Sequence, residues 1–169
     1  MSAARTATDE NYQSVFVGVV RAKLEALFPK YPTKQSCLLP ALWMVQEQRG
    51  WVSPDAVTEV AEVLGLTPAF VRGVLTFYTM YHTHPVGRHF IQVCTTSPCN
   101  ICGAEEVTKA FLKHTGCGEL GATSADGRFT VIEVECLGAC GFATPVLIGD
   151  DFVESVTPER VPGILQGYK

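Results

Sequence analysis

Two cysteine pairs restrict what this chain can become. Cys94-Thr-Thr-Ser-Pro-Cys99 and Cys136-Leu-Gly-Ala-Cys140 have similar spacings, and each starts where a strand-like run stops. Phe90-Ile91-Gln92-Val93 leads into the first pair. Residues 129–134, alternating and rich in branched side chains, lead into the second. A small α/β fold with both strands in one sheet would set both loops at the same edge. Four thiolates gathered there demand a cation, because bare thiolates repel one another and otherwise stay protonated near their free pKa of about 8.5.

The residues alone leave three chemistries open. An iron-sulfur cluster needs backbone N–H groups aimed at its sulfurs. Gly138, Ala139 and Gly141 around Cys140, with Gly103-Ala104 after Cys99, allow that close approach and bring a helix N-terminus near. A structural zinc site holds each ligand pair on a tight knuckle, and four and three intervening residues do not exclude it. A thioredoxin-like dithiol would use Cys99-Asn-Ile-Cys102 instead, leaving Cys94, Cys136 and Cys140 without a role.

Composition narrows the setting. Among 169 residues, 13 Lys and Arg against 17 Asp and Glu give a formal charge of -4, which argues against nucleic acid as a partner. Apolar runs such as 15–20 and 146–148 fall well short of the roughly 20 residues that span a bilayer, so no direct membrane insertion is expected. Residues 1–8 read as a frayed tail rather than a targeting peptide, which suggests the cytoplasm. Seven cysteines, an odd number in a reducing compartment, point to metal ligands or catalytic thiols rather than disulfides.

The pattern along the chain changes once. Apolar residues at spacings of three and four predict a helix from Tyr12 to Phe28, ended by Pro29 and Pro32, and a second carrying Leu38, Leu42 and Val45 that stops at Gly50. Ser53-Pro54-Asp55 opens a third that ends at Leu64-Gly65, and Thr67-Pro68 opens a fourth with Val71, Val74, Leu75 and Tyr78 on its apolar face. After Pro85 the expected order is a strand, a helix over 103–114, the strand at 129–134, a hairpin through Asp150-Asp151 and a short helix near Pro162. The fold class is α+β: a tail at 1–9, a four-helix bundle at 10–84 and a small α/β domain at 85–169.

Other residues suit packing first. Cys37 and Cys117 read as buried thiols and Trp43, Trp51, Phe77, Tyr78 and Tyr81 as core, while His82 and His84 lack a third metal ligand in sight. Glu105-Glu106 places negative charge at a helix N-terminus.

The segments 86–94 and 129–140 with their cysteine pairs, together with Gly50-Trp51 and residues 76–81, resemble the thioredoxin-like [2Fe-2S] subunit of respiratory complex I, the NADH:quinone oxidoreductase. Related subunits occur in NAD-linked hydrogenases and formate dehydrogenases. The resemblance runs from about residue 28 to 157. It implies a thioredoxin-like ferredoxin domain at 85–169, one [2Fe-2S] cluster on Cys94, Cys99, Cys136 and Cys140, and a helical half that docks on a partner. That partner would be the subunit that binds FMN and NADH, with a further iron-sulfur subunit nearby, in the peripheral arm of a membrane-associated complex. Gly116-Cys117-Gly118-Glu119-Leu120-Gly121 has the G-x-G-x-x-G spacing but follows the helix expected over 103–114 instead of joining a strand to a helix, so it is not a dinucleotide-binding fingerprint and no catalytic residue of its own is expected. The alternatives are the equivalent hydrogenase or formate dehydrogenase subunit, or a free-standing ferredoxin. Two departures stand out: Phe142-Ala143-Thr144-Pro145 where the family commonly has Asn-Ala-Pro, and Cys102 at a position expected to hold a non-ligand.

Overall fold

Helix caps and strand pairs divide the chain near Pro85 into two compact units. The structure, a computed structural model, describes residues 12–168; the expected tail at 1–9 lies outside the described residues.

The first unit contains α1 (Gly18–Glu25), α2 (Leu38–Arg49), α3 (Pro54–Leu64) and α4 (Pro68–Phe77). Their ends follow from local chemistry. Ser53 Oγ accepts the Ala56 N–H at 3.2 Å to start α3, Thr67 Oγ1 accepts the Phe70 N–H at 3.3 Å to start α4, and a proline follows each cap. Gly50 and Gly65 end α2 and α3 with φ of 77° and 70°, a conformation that glycine adopts without steric penalty. Leu24, Leu42, Val45, Val60 and Val71 are fully buried in one apolar cluster.

The expected first helix is shortened at its start: α1 begins at Gly18, not near Tyr12. The reason is tertiary. The Glu59 carboxylate on α3 accepts the Tyr12 and Ser14 hydroxyls and the Val15 and Phe16 N–H groups, the last two at 3.0 and 2.9 Å. These backbone donors are satisfied without a helical turn, while the Val15 and Phe16 side chains are buried. Phe77, Tyr78 and Trp43 also depart from the expected core, at 77%, 40% and 42% exposed; Tyr81 is buried, and its hydroxyl donates to the Leu39 carbonyl at 2.8 Å.

The second unit is built on a mixed sheet. Strand β1 (His89–Cys94) runs parallel to β2 (Phe129–Val134) and antiparallel to β3 (Val146–Ile148), which pairs with β4 (Asp151–Val153) in the order β2-β1-β3-β4. Helices α5 (Ser97–Ile101) and α6 (Ala104–Thr115) make the crossover from β1 to β2, and α7 (Val161–Leu165) follows the hairpin. Ile91, Val93, Val131, Val146 and Ile148 form the core with Val107 and Phe111 of α6 and Val161 of α7. The parallel register runs from His89 opposite Phe129 to Cys94 opposite Val134. Both strands therefore end at the same edge, and the loops that follow them carry the cysteines.

Helix α5 is not evident in the sequence. Thr-Thr-Ser-Pro reads as loop, and only five residues are helical, but Pro98 in the first turn and the Asn100 N–H to the Thr96 carbonyl at 2.9 Å set the turn.

Candidate metal centre

The Cys94 and Cys99 sulfurs lie 3.2 Å apart, and those of Cys136 and Cys140 lie 3.7 Å apart. Two thiolates on one tetrahedral ion with metal–sulfur bonds of about 2.3 Å stand about 3.8 Å apart. The Cys136–Cys140 pair has that span, and the Cys94–Cys99 pair is about 0.6 Å closer, so a small opening of the first loop would bring it to the same edge length. Cys94 and Cys99 are buried, packed with Ala104 and touched by Leu137 and Ala143 from the second cysteine loop, whereas Cys136 and Cys140 are exposed.

One backbone N–H links the two loops. The Leu137 N–H, from the loop between the second pair, donates to the Cys94 sulfur, as does the Thr96 N–H from its own loop. The Thr96 hydroxyl reaches the same sulfur at 3.2 Å, and the Gly138 N–H donates to the Cys136 sulfur at 3.4 Å. Gly138 has φ of 81°, which lets the chain turn back on the sulfur.

These contacts polarise each pair. Burial pushes the Cys94 thiol pKa up, but the Thr96 hydroxyl and the N–H groups of Thr96 and Leu137 outweigh it, and the thiol ends below its ordinary value. Cys99 is pushed up to about 11 by burial and by the neighbouring Cys94 sulfur. Cys140 is raised by its hydrogen bond to Cys136 and by that neighbour's charge. In both pairs the charge on one sulfur opposes charge on the other, so a cation is required before both are thiolates. A thiolate donor set at metal-ligand spacing, met by backbone donors, suits iron or zinc.

The structure decides against one of the readings that the sequence leaves open. Cys99 pairs with Cys94 rather than with Cys102, which is exposed at the end of α5. The dithiol reading therefore loses its geometry. Among the described residues no group of three or more Cys, His, Asp or Glu side chains is gathered about one point, and the four sulfurs lie in two close pairs. Cys37 and Cys117 are buried, the latter donating to the Phe129 carbonyl at 3.4 Å. The Gly103 N–H, expected to face the sulfurs, donates instead to the Asn100 carbonyl at 3.1 Å. Nothing in the sequence singles out the Leu137 and Thr96 N–H groups as donors. A backbone N–H belongs to nearly every residue type, so the one available signal is the Thr96 hydroxyl two positions after Cys94.

A family model described as thioredoxin-like [2Fe-2S] ferredoxin matches residues 24–169. An NADH-quinone oxidoreductase subunit of Pseudomonas aeruginosa is 42% identical over 148 residues, covering 88% of this chain and 89% of the relative. The mitochondrial NADH dehydrogenase [ubiquinone] flavoprotein 2 of Dictyostelium discoideum is 41% identical over 150 residues; the match covers 87% of this chain and 60% of the relative's length. Among solved structures, an NAD+-reducing [NiFe]-hydrogenase shares the fold with a TM-score of 0.65 at 20% identity, over 78% of this chain and 22% of that one.

Proposed function

The chain belongs to the thioredoxin-like [2Fe-2S] ferredoxin family, and from that premise we propose that it is the electron-transfer subunit of an NADH:quinone oxidoreductase, with Cys94, Cys99, Cys136 and Cys140 as the cluster ligands. The observation that carries the ligand assignment is the two-by-two pairing of sulfurs at 3.2 and 3.7 Å on loops linked by a backbone N–H, one pair for each iron of a binuclear cluster. Bound there, a [2Fe-2S] cluster supplies one-electron redox chemistry. The protein's part is to hold the sulfurs and to offset their negative charge with the N–H groups of Thr96, Leu137 and Gly138. Burial of Cys94 and Cys99 shields one side, while the exposed Cys136 and Cys140 face outward, where a redox partner can approach.

The partner in this reading is the subunit that binds FMN and NADH, with an iron-sulfur subunit alongside. The helical unit is assigned as a four-helix bundle that docks, and α4 with the turn that follows it supports that role. Phe70, Phe77, Tyr78 and Met80 are 43%, 77%, 40% and 48% exposed, and Arg72 is the one charged residue between Gly65 and Pro85. Exposed aromatic surface with so little charge is characteristic of an interface. Among the described residues no single helix is long and apolar enough to cross a membrane, which fits a peripheral-arm position. The quinone oxidoreductase relative at 42% identity favours that parent over the hydrogenase, whose likeness is one of fold at 20%.

The test is iron and acid-labile sulfide per chain after anaerobic purification. About two of each are expected, with an EPR signal on reduction. Cys136→Ser should lose the cluster and Cys102→Ser should keep it. Zinc without sulfide in the parent protein, or an intact cluster in Cys136→Ser, would overturn the assignment.

A further inference from the structure

Thr96 occupies the N-cap position of α5, with φ of -67° and ψ of 163°, the extended geometry that a capping residue adopts. At the corresponding positions of α3 and α4, Ser53 and Thr67 turn their hydroxyls onto the helix and accept an N–H. Thr96 does not: its hydroxyl makes no cap hydrogen bond and lies 3.2 Å from the Cys94 sulfur. The half-buried side chain therefore forgoes a stabilising local contact for one to a sulfur. A thiolate bound to a metal has no proton to give, so in that state the hydroxyl is the donor.

We propose that Thr96 is a positioning residue whose hydroxyl, by donating to the Cys94 sulfur, raises the reduction potential of the bound cluster. This rests on the reading of Cys94 as a ligand. The physical argument is electrostatic. Reduction adds an electron, the ligand sulfurs become more negative, and a donor fixed on one of them strengthens more in the reduced state than in the oxidised state. The N–H groups of Leu137 and Thr96 act in the same direction on the same sulfur, but side-chain substitution leaves them in place. The hydroxyl is the one of the three donors that a point change can remove and restore.

The experiment is an EPR-monitored redox titration of the intact chain carrying its cluster, as the parent protein and as Thr96→Val, Thr96→Ala and Thr96→Ser, with iron and sulfide counted in each. Removing the hydroxyl should lower the equilibrium constant for one-electron reduction about tenfold, a fall of about 59 mV. Thr96→Ser should restore the parent potential. Full cluster content with an unchanged potential in Thr96→Val and Thr96→Ala overturns the proposal and leaves the ligand assignment intact. A Thr96→Ser potential matching that of Thr96→Val overturns it as well. Loss of the cluster from Thr96→Val and Thr96→Ala, with retention in Thr96→Ser, would show that the hydroxyl holds the cluster rather than tunes it and would also overturn the proposal. Absence of iron and sulfide from the parent protein would refute the ligand assignment itself.

Discussion

Gly87 and Gly73 should respond to the same substitution with opposite signs. A methyl group on Gly87 would lie 2.5 Å from the Phe129 carbonyl carbon, 2.7 Å from its nitrogen and 2.8 Å from its Cα, all backbone atoms at the start of β2. Relaxed carbon contacts lie at about 3.5 to 4.0 Å, so the chain entering β1 must move away from β2 by about 1 Å. That shift strains the Gly87 N–H to Thr130 Oγ1 at 2.8 Å and the His89 N–H to the Arg128 carbonyl at 2.7 Å. Overpacking costs about 1 to 3 kcal/mol and a weakened buried hydrogen bond about 1 more, so Gly87→Ala should destabilise by about 2 to 4 kcal/mol. Gly73, by contrast, is inside α4, where an added methyl group would meet nothing within 4 Å and φ is not positive. Gly73→Ala should stabilise by about 0.5 to 1 kcal/mol by restricting the unfolded chain. Urea unfolding followed by circular dichroism, at matched iron content because bound cluster adds stability, measures both. A Gly87→Ala variant within about 0.5 kcal/mol of the parent would refute the close-approach argument.

Two other outcomes follow from the helical unit. Burial pushes the Glu59 pKa up, but the hydrogen bonds from Ser14, Tyr12, Phe16 and Val15 outweigh it, so the folded value lies below the ordinary glutamate value. Its contribution is complete above about pH 4.3 and is lost as pH falls through the lowered folded value. Because the carboxylate is partly exposed, Glu59→Gln should cost on the order of 1 kcal/mol at pH 7 and flatten the acid limb of a stability–pH curve; an unchanged acid limb would contradict this. Replacing both Phe70 and Phe77 with serine should leave stability within about 0.5 kcal/mol of the parent while reducing co-purification with the flavin-binding subunit proposed above as its partner, and undiminished co-purification would place the interface elsewhere.

The local order of elements was legible in the sequence because each depends on short-range chemistry. Ser53-Pro54 and Thr67-Pro68 start helices, Gly50 and Gly65 end them, and branched runs stop at Cys94 and before Cys136. The matched cysteine spacings also suggested two pairs. Tertiary structure decided the rest. Glu59, more than forty residues away in sequence, replaces the first turns of the expected helix with a carboxylate anchor, which no local pattern reports. Phe77 and Tyr78 have core-like chemistry, but exposure depends on which face of α4 the neighbouring helices cover. At the metal centre, the sequence determined which sulfurs are available. Only the parallel pairing of β1 with β2 brings Leu137 to Cys94, because hydrogen bonds between segments some forty residues apart are made by the fold and not by spacing.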